Sequence, residues 1–478
     1  MSALLVRLWH SPTATTWGSL AIRLAAMLVV LPVVLMRFAP PEVALWQLFS
    51  TLFMLAMMLD FGLAPTFVRL LSFARGGATL VEMARMQRSA AAPARPANPA
   101  VAGSVLATSR WLYPRIATGV TVLLAVFGTV SLIKPVAQTQ DMFAAWVAWS
   151  VVLGSTGLSL WGGGYSAALQ GMEKIAEMRR WEMVTGFCQI VTSGIVLAFG
   201  GHLLALVSTY QAWAVLGAIR NRWLLRRLHP ELFATLPAPY PEVIKVAWPA
   251  AWRSGFGVLM SQGIVQASGV VYSQLAPAAE VASYLLALRL VLIISQFCQA
   301  PFYSKLPRLA ALQAEGKTAD QVRIAQKGMQ TSYWVFAMLS IAVLVGYWMI
   351  LAIRRIDSVY FFNPMVFSLL SLGFFVERMG AMHIQLYSLT NHIIWHIATS
   401  VTGVLMILAS TLLFRQVGVY AFPAALLMAY TLFYCPYSMS NSYKAYRLRF
   451  PEYEFSTSLA PAATLIFSAS LLLLAIRI

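Results

Sequence analysis

The sequence predicts an all-α polytopic membrane protein, and three observations carry this prediction. Of the 478 residues, 60% are hydrophobic and only 10% are charged, and the mean hydropathy is +0.73. Soluble domains carry about 25% charged residues, so one soluble core could not bury this much apolar surface. Apolar runs long enough to cross a bilayer recur along the chain, and basic residues concentrate in the loops between them. An ordinary soluble enzyme and a disordered chain are therefore excluded.

The membrane spans are read from the apolar runs, because a transmembrane helix needs about 20 such residues. About thirteen stretches qualify, at residues 17–37, 43–72, 111–133, 143–169, 184–200, 202–219, 244–273, 281–304, 332–353, 364–388, 393–413, 418–440 and 458–476. Arg23 interrupts the first run, and no small-residue cleavage site follows it. This run is therefore predicted to be a span and not a cleavable signal peptide.

The basic residues predict the orientation of the chain. With the N-terminus on the cytoplasmic side, roughly 24 lysines and arginines fall in inside loops and six fall outside. Topology thus accounts for most of the net charge of +18, and no nucleic-acid partner is expected. The long loops are all on the predicted cytoplasmic side. Little room is left outside for the acidic and basic groups of a membrane glycosyl polymerase or ligase.

The two halves of the chain resemble each other at two motifs. Glu42–Trp46 (EVALW) is echoed by Glu280–Tyr284 (EVASY), and Pro65–Arg69 (PTFVR) is echoed by Pro301–Lys305 (PFYSK). Six spans separate the corresponding motifs, so both halves enter the membrane in the same orientation. We therefore predict two parallel six-helix lobes, related by a pseudo-twofold axis along the membrane normal, plus an extra C-terminal helix.

The predicted domain organisation follows from this repeat. We expect an N-lobe of about six helices at 1–219, a cytoplasmic amphipathic linker at 220–243, a C-lobe of about six helices at 244–440, and a C-terminal loop with an additional transmembrane helix at 441–478. The linker begins with four arginines interleaved with Trp223 and two leucines, a pattern typical of a helix on the membrane surface.

Six ionisable residues within the predicted spans are candidates for a site, because an ionisable group there costs roughly 2.5–3.5 kcal/mol on insertion scales and usually faces a cavity or a partner. They are the cations Arg23, Arg253, Arg289 and Arg378 and the anions Asp60 and Glu377. The surplus of two positive charges suits a substrate with two or more negative charges, such as a pyrophosphate, because arginine forks bind phosphate oxygens in bidentate fashion. We expect Arg23, Arg253 and Arg289 to bind this substrate.

Alternatives remain open for several of these charges. Snorkelling to the interface competes with cavity lining for Arg23, and structural pairing competes with substrate contact for Arg289. Asp60 either caps a break in the second span or pairs with an arginine. The charges of Glu377 and Arg378 either lock the packing or take part in coupling.

No cofactor is expected, because no nucleotide-binding or catalytic motif is present. His392 and His396 are spaced i, i+4 and can in principle bind zinc, but no cysteine or acid is close to them in sequence. We therefore predict no metal site.

Three stretches resemble Wzx-type polysaccharide (O-antigen) flippases of the multidrug/oligosaccharidyl-lipid/polysaccharide (MOP) exporter superfamily. Glu42–Arg69, with its aromatic-rich start and its Asp-Phe-Gly-Leu motif, resembles their second helix. Leu275–Ala310 looks like their eighth-helix region, and Gly418–Ala421 is similar to the start of a late helix. Members usually have an even number of helices, from which the count of thirteen departs.

This resemblance implies a transporter and not an enzyme. It implies two lobes around a central cavity that move an undecaprenyl-pyrophosphate-linked oligosaccharide across the bacterial cytoplasmic (inner) membrane, for lipopolysaccharide or another surface polysaccharide. Cationic cavity residues carry over onto Arg23 and Arg253. The implied partners are the lipid-linked oligosaccharide, membrane lipids, a polysaccharide polymerase and chain-length proteins; no coupling ion is identified. Two alternatives stay open: a cation-coupled multidrug exporter of the same fold, and a membrane glycosyl polymerase or ligase.

Overall fold

The computed structural model describes residues 9, 12–85, 96–314, 317–354, 362–390, 392 and 394–477, and this part of the chain contains helices and no strand. The α-helices are α1 (Pro12–Arg37), α2 (Pro40–Met58), α3 (Leu63–Arg75), α4 (Leu80–Arg85), α5 (Pro99–Leu123), α6 (Thr129–Ala137), α7 (Met142–Gly171), α8 (Ile175–Ala198), α9 (Leu203–Leu228), α10 (Pro241–Val258), α11 (Ile264–Leu275), α12 (Ala278–Cys298), α13 (Ala300–Tyr303), α14 (Leu306–Ala314), α15 (Thr318–Arg354), α16 (Pro364–Ser388), α17 (Trp395–Val417), α18 (Ala421–Ala429), α19 (Cys435–Tyr446), α20 (Phe450–Thr457) and α21 (Leu459–Arg477). The predicted all-α fold class is confirmed.

The helices form two compact units, Met1–Leu259 and Met260–Ile478. This division differs from the predicted boundary between the linker and the C-lobe at 243/244, because α10 belongs to the first unit. There α10 packs against α3, α4 and α5. The predicted span at 244–273 is therefore divided between the units, and its two helices are joined by the π-helical segment Leu259–Gly263.

Among the described residues, nine helical runs are long and apolar enough to cross a membrane, or ten with the bent pair Phe450–Thr457 and Leu459–Ala475. The protein is thus a multi-pass membrane protein with fewer such runs than the thirteen predicted. One reason is that the run Trp395–Tyr446 spans 52 residues and contains two predicted spans. A straight helix of that length would measure about 78 Å, more than twice the hydrocarbon thickness of about 30 Å. The chain instead turns at Gly418, and α18 packs back against α17.

The second predicted span is broken at Asp60, between α2 and α3. The backbone N–H of Gly62 donates to Asp60 Oδ1 at 2.8 Å, and that of Ala64 donates to Oδ2 at 3.0 Å. These N–H groups have no intrahelical partner at a helix start. Of the two roles considered for this carboxylate, capping the break is the one that the structure shows.

Replacing Asp60 with alanine is expected to lower the free energy of unfolding by about 1 kcal/mol, the usual cost of a lost N-cap. Asp60→Asn keeps one acceptor oxygen and is expected to lose less. Denaturant titration of the purified protein in detergent measures both variants. An alanine variant as stable as the wild type would contradict the capping role.

The repeated motifs take corresponding positions in the two units. Glu42 lies in the first turn of α2, where its carboxylate accepts a hydrogen bond from the N–H of Ala39 at 3.2 Å, and Glu280 lies in the first turn of α12. Pro65 follows the break after α2, and Pro301 follows the end of α12. The pseudo-twofold relation between the lobes stays a prediction.

Candidate functional site

The first unit has a wide-mouthed cavity of about 490 Å³ among α1, α2, α7, α8 and α9. Its lining is polar on several helices at once. The polar lining residues are Ser19, Ser159, Ser166, Glu182, Thr185, Gln189, Arg220 and Asn221, and the large apolar ones are Ile22, Phe53, Met57 and Trp213. Ser159 Oγ is buried without a hydrogen-bond partner among the described residues. The polar side chains of this cavity can therefore form hydrogen bonds to a polar ligand, in place of those that the ligand makes to water outside.

Small residues hold the helices around this cavity. A Cβ atom at Gly162 would lie 2.4 Å from Ala218 Cβ, and one at Gly186 would lie 2.7 Å from Ile22 Cγ2. Both distances are shorter than any real carbon contact, so these glycines let α7 approach α9 and α8 approach α1. Small residues at helix crossings allow the backbones of membrane helices to approach each other closely. They fix the walls of the cavity.

Arg220 is the positive group of the cavity, and its side chain is held in place. Its Nη1 donates to Thr185 Oγ1 at 2.9 Å, while Nε and Nη2 donate to Asn221 Oδ1 at 3.2 Å and 2.8 Å. A guanidinium group fixed in this way is pre-oriented for planar, bidentate recognition of an anion.

Glu182 is the acidic group of the cavity. Its Oε2 accepts a hydrogen bond from Arg179 Nη1 at 2.6 Å, so the charge of this carboxylate is offset by a neighbour on α8. Counting Arg179, Arg220 and Glu182 together leaves one positive charge among these described side chains.

Arg23 occupies a suggestive position on α1. Ser19 lines the cavity, and Arg23 follows it by four residues on α1, so these two positions share a helical face. The side chain of Arg23 lies outside the described part of the structure. Only the position of residue 23 along α1, four residues after Ser19, relates this predicted site residue to the cavity.

The other two predicted binding residues do not line this cavity. Arg253 is exposed on α10 of the first unit, and among the described residues no hydrogen bond or ion pair engages it. Arg289 is half-buried on α12 of the second unit. Their role in binding stays a prediction.

Arg220 was not among the predicted site residues, because the apolar run of the sixth predicted span ends at residue 219. In the structure α9 continues to Leu228, so Arg220 lies on the same helix as the apolar run. A signal was available: Arg220 follows Gly217 and Trp213 at spacings of three and seven residues, and both of these also line the cavity.

Glu377 and Arg378 are buried in the second unit, with 8% and 7% of their surface exposed. Arg378 Nη2 donates to Glu377 Oε2 at 3.0 Å and to Ser295 Oγ at 2.9 Å, and Nη1 donates to Gln299 Oε1 at 3.2 Å. The guanidinium of Arg378 thus joins α16 to Ser295 on α12 and to Gln299, the residue that follows α12. These contacts are the ones expected if Glu377 and Arg378 hold neighbouring helices together, which is the first of the two roles considered for them.

No protein-family model and no curated protein matches the sequence. Solved structures do match, among them the outward-facing conformation of a multidrug resistance MATE family transporter of the MOP superfamily, at a TM-score of 0.61 and 14% identity over 92% of this chain and 97% of that one. The chain has the MATE fold. The lipid II flippase MurJ, in its inward closed conformation, matches equally well, at a TM-score of 0.60 and 10% identity over 95% and 97% of the two chains.

A third structure with this fold is a MOP superfamily transporter from Pyrococcus furiosus Vc1. It matches at a TM-score of 0.50 and 11% identity, over 92% of this chain and 98% of that one. It is described as having a binding pocket of reverse polarity that suggests a different function. At sequence identities this low, the similarity establishes the fold of the chain and not its substrate.

Proposed function

We propose that the protein is a Wzx-type flippase, which moves a polyprenyl-pyrophosphate-linked oligosaccharide across the bacterial inner membrane by alternating access. The observation that carries the proposal is Arg220, a pre-oriented guanidinium in a polar cavity inside a membrane unit. Glu182 is the acidic neighbour of Arg220, but its carboxylate also pairs with Arg179, so these three side chains together keep one positive charge. A bound pyrophosphate would offset that charge.

The division of labour within the cavity follows from the chemistry of its lining. The guanidinium of Arg220, joined by Arg23 from α1, binds the pyrophosphate. The hydroxyl of Ser159 and the amide of Gln189 are available to sugar hydroxyls, while the polyprenyl tail stays in the bilayer. The volume of about 490 Å³ lies within the range of about 300–1,000 Å³ that is usual for ligand sites.

A cation-coupled multidrug exporter is the second candidate, and the similarity to the MATE transporter favours it. Such an exporter needs acidic groups that are free to bind cations. Here Asp60 accepts hydrogen bonds from backbone N–H groups, Glu377 pairs with Arg378, and Glu182 pairs with Arg179. Because all three carboxylates already have donors, we favour the anionic cargo.

Arg220→Gln tests the proposal, because glutamine keeps polar contacts while it removes the charge. Loss of a charge-assisted contact worth about 1.5–3 kcal/mol is expected to lower surface polysaccharide at least tenfold, in cells that depend on this chain. Arg226→Gln is the matched control, since Arg226 is exposed in the last turn of the same helix. Normal polysaccharide with Arg220→Gln at wild-type abundance in the membrane would overturn the anionic site.

A further inference from the structure

A second cluster of ionisable groups lies in the second unit, and none of its residues lines the cavity of the first unit. His383 on α16 is fully buried, and Glu454 on α20 is 6% exposed. His383 Nε2 lies 3.2 Å from Glu454 Oε1. The two residues are 71 positions apart in sequence and connect two separate helices. Ionisable groups buried in a membrane protein are energetically costly, so a buried pair of this kind is a candidate functional site.

The carboxylate of Glu454 is surrounded by donors. Tyr443 donates its hydroxyl proton to Oε1 at 2.6 Å, and Ser458 donates to Oε2. With the ring of His383, three donors converge on the two oxygens. Such a shell stabilises the ionised carboxylate, because a protonated carboxyl group has fewer sites to accept hydrogen bonds.

The imidazole of His383 has one nitrogen to spare. Nε2 is directed at Glu454, while Nδ1 is buried with no hydrogen-bond partner among the described residues. When Nε2 carries the proton that it donates to Glu454, Nδ1 is the only ring atom that can take another. Without that second proton the pair carries one buried negative charge, and with it the pair is a neutral ion pair. Proton uptake therefore removes an uncompensated buried charge.

The other titratable groups that face the pair do not change charge in the same pH range. They are the phenols of Tyr333 on α15, Tyr443 on α19 and Tyr453 on α20 and the thiol of Cys435 on α19. Phenols and thiols titrate above the range of about pH 5–8 in which a histidine changes charge. The buried Nδ1 of His383 is therefore the proton acceptor that the geometry of this cluster leaves open.

The helix that carries Glu454 is short and is bounded by two changes of chain direction. Before α20, Arg447 has a left-handed backbone conformation with φ of +52°; after it, the chain bends by 55° into α21. Phe450 and Phe455 on its outer face are exposed. The inner face of α20 contacts α15 through Tyr453 and α16 through Glu454, so the contact with His383 is one of those that position this helix.

We propose that His383 and Glu454 form a proton-binding site of the second unit, in which a proton taken from water by His383 Nδ1 fastens α20 to α16. Loss of that proton to water leaves Glu454 as a lone buried charge and loosens the contact. The site is separate from the cavity of the first unit, and its existence does not depend on the nature of the cargo.

Hydrogen–deuterium exchange of the full-length protein in detergent tests this site, with rates corrected for the pH dependence of intrinsic exchange. The backbone of residues 450–457 is expected to be about tenfold better protected at about pH 5.5 than at about pH 8. His383→Gln keeps a neutral donor and is expected to abolish the difference. His396→Gln is the control, because His396 is a half-buried histidine of the same unit with no carboxylate partner among the described residues, and it should retain the difference.

Two results would overturn the site: equal protection of the wild type at the two pH values, or a pH dependence that survives in His383→Gln. Glu454→Gln provides a second variant, which is also expected to abolish the difference. Should neither variant be recovered as folded protein, the wild-type pH profile decides alone, since a flat profile rejects the proposal. The measurement involves no transport step, so its failure is distinguishable from failure of the proposed flippase function.

Discussion

Replacing Arg378 with methionine is expected to lower the free energy of unfolding by about 3–5 kcal/mol, the usual cost of breaking a buried ion pair. The guanidinium is the donor to Glu377, Ser295 and Gln299, so its removal leaves a buried carboxylate with no compensating charge. Methionine fills a similar volume, which keeps the contribution of lost packing small.

Denaturant titration in detergent gives this free energy, with Arg415→Met as the matched control. Arg415 is exposed at the end of α17, so the same substitution should change stability by less than about 0.5 kcal/mol there. The double variant Glu377→Gln/Arg378→Met removes both charges and is expected to recover most of the loss. Equal stability of the Arg378 and Arg415 variants would show that the pair does not lock α16 to α12.

Gly62→Ala is expected to cost about 2–6 kcal/mol, the sum of backbone strain and overpacking. Gly62 has a left-handed backbone with φ of +71°. A Cβ atom there would lie 2.6 Å from Ala251 O, 2.7 Å from Gly255 N and 2.8 Å from Ser254 Cβ. Two of these neighbours are backbone atoms of α10, which cannot move without displacing the helix.

Gly154→Ala is the matched control for this substitution. Gly154 lies within α7, and a Cβ atom there would meet nothing within 4 Å. Alanine in a helix interior is favoured over glycine by up to about 1 kcal/mol, so this variant should be as stable as the wild type or slightly more so. If thermal unfolding gave the two variants the same midpoint, the close approach of α10 to the break at Asp60 would be contradicted.

The fold class was predictable from the sequence because membrane insertion depends on local properties. Apolar runs of sufficient length and the placement of basic residues need no knowledge of tertiary contacts. The break in the second span was predictable for the same reason, since Asp60 hydrogen-bonds to backbone groups two and four residues ahead of it.

Features that depend on long-range packing were not predictable. His383 lies in a predicted span, whereas Glu454 falls in the predicted C-terminal loop, and their contact arises only where α16 and α20 meet in the folded chain. The division of the chain at 259/260 depends likewise on how closely Gly62 and Gly255 let α10 approach the break after α2.

The candidate site was partly predictable. A surplus of arginine within the spans predicted an anionic cargo, with Arg23, Arg253 and Arg289 as its expected binding residues, and this assignment stays a prediction. Arg220 was missed because polar residues continue into the loop after it, and hydropathy alone cannot distinguish a helix that continues past the apolar core from one that ends there. Only the contacts of Thr185 and Asn221 show that its guanidinium is fixed at the cavity.

Translocation by the purified wild-type protein in proteoliposomes tests the proposed anionic cargo most directly. A fluorescent polyprenyl-pyrophosphate-linked oligosaccharide is expected to reach the opposite leaflet at least tenfold faster than in protein-free vesicles, while a cationic dye is not transported. The same vesicles with Arg220→Gln should return toward the protein-free rate, and those with Arg226→Gln should not. Transport of the cationic dye without movement of the lipid-linked substrate would contradict the flippase function and establish the exporter instead.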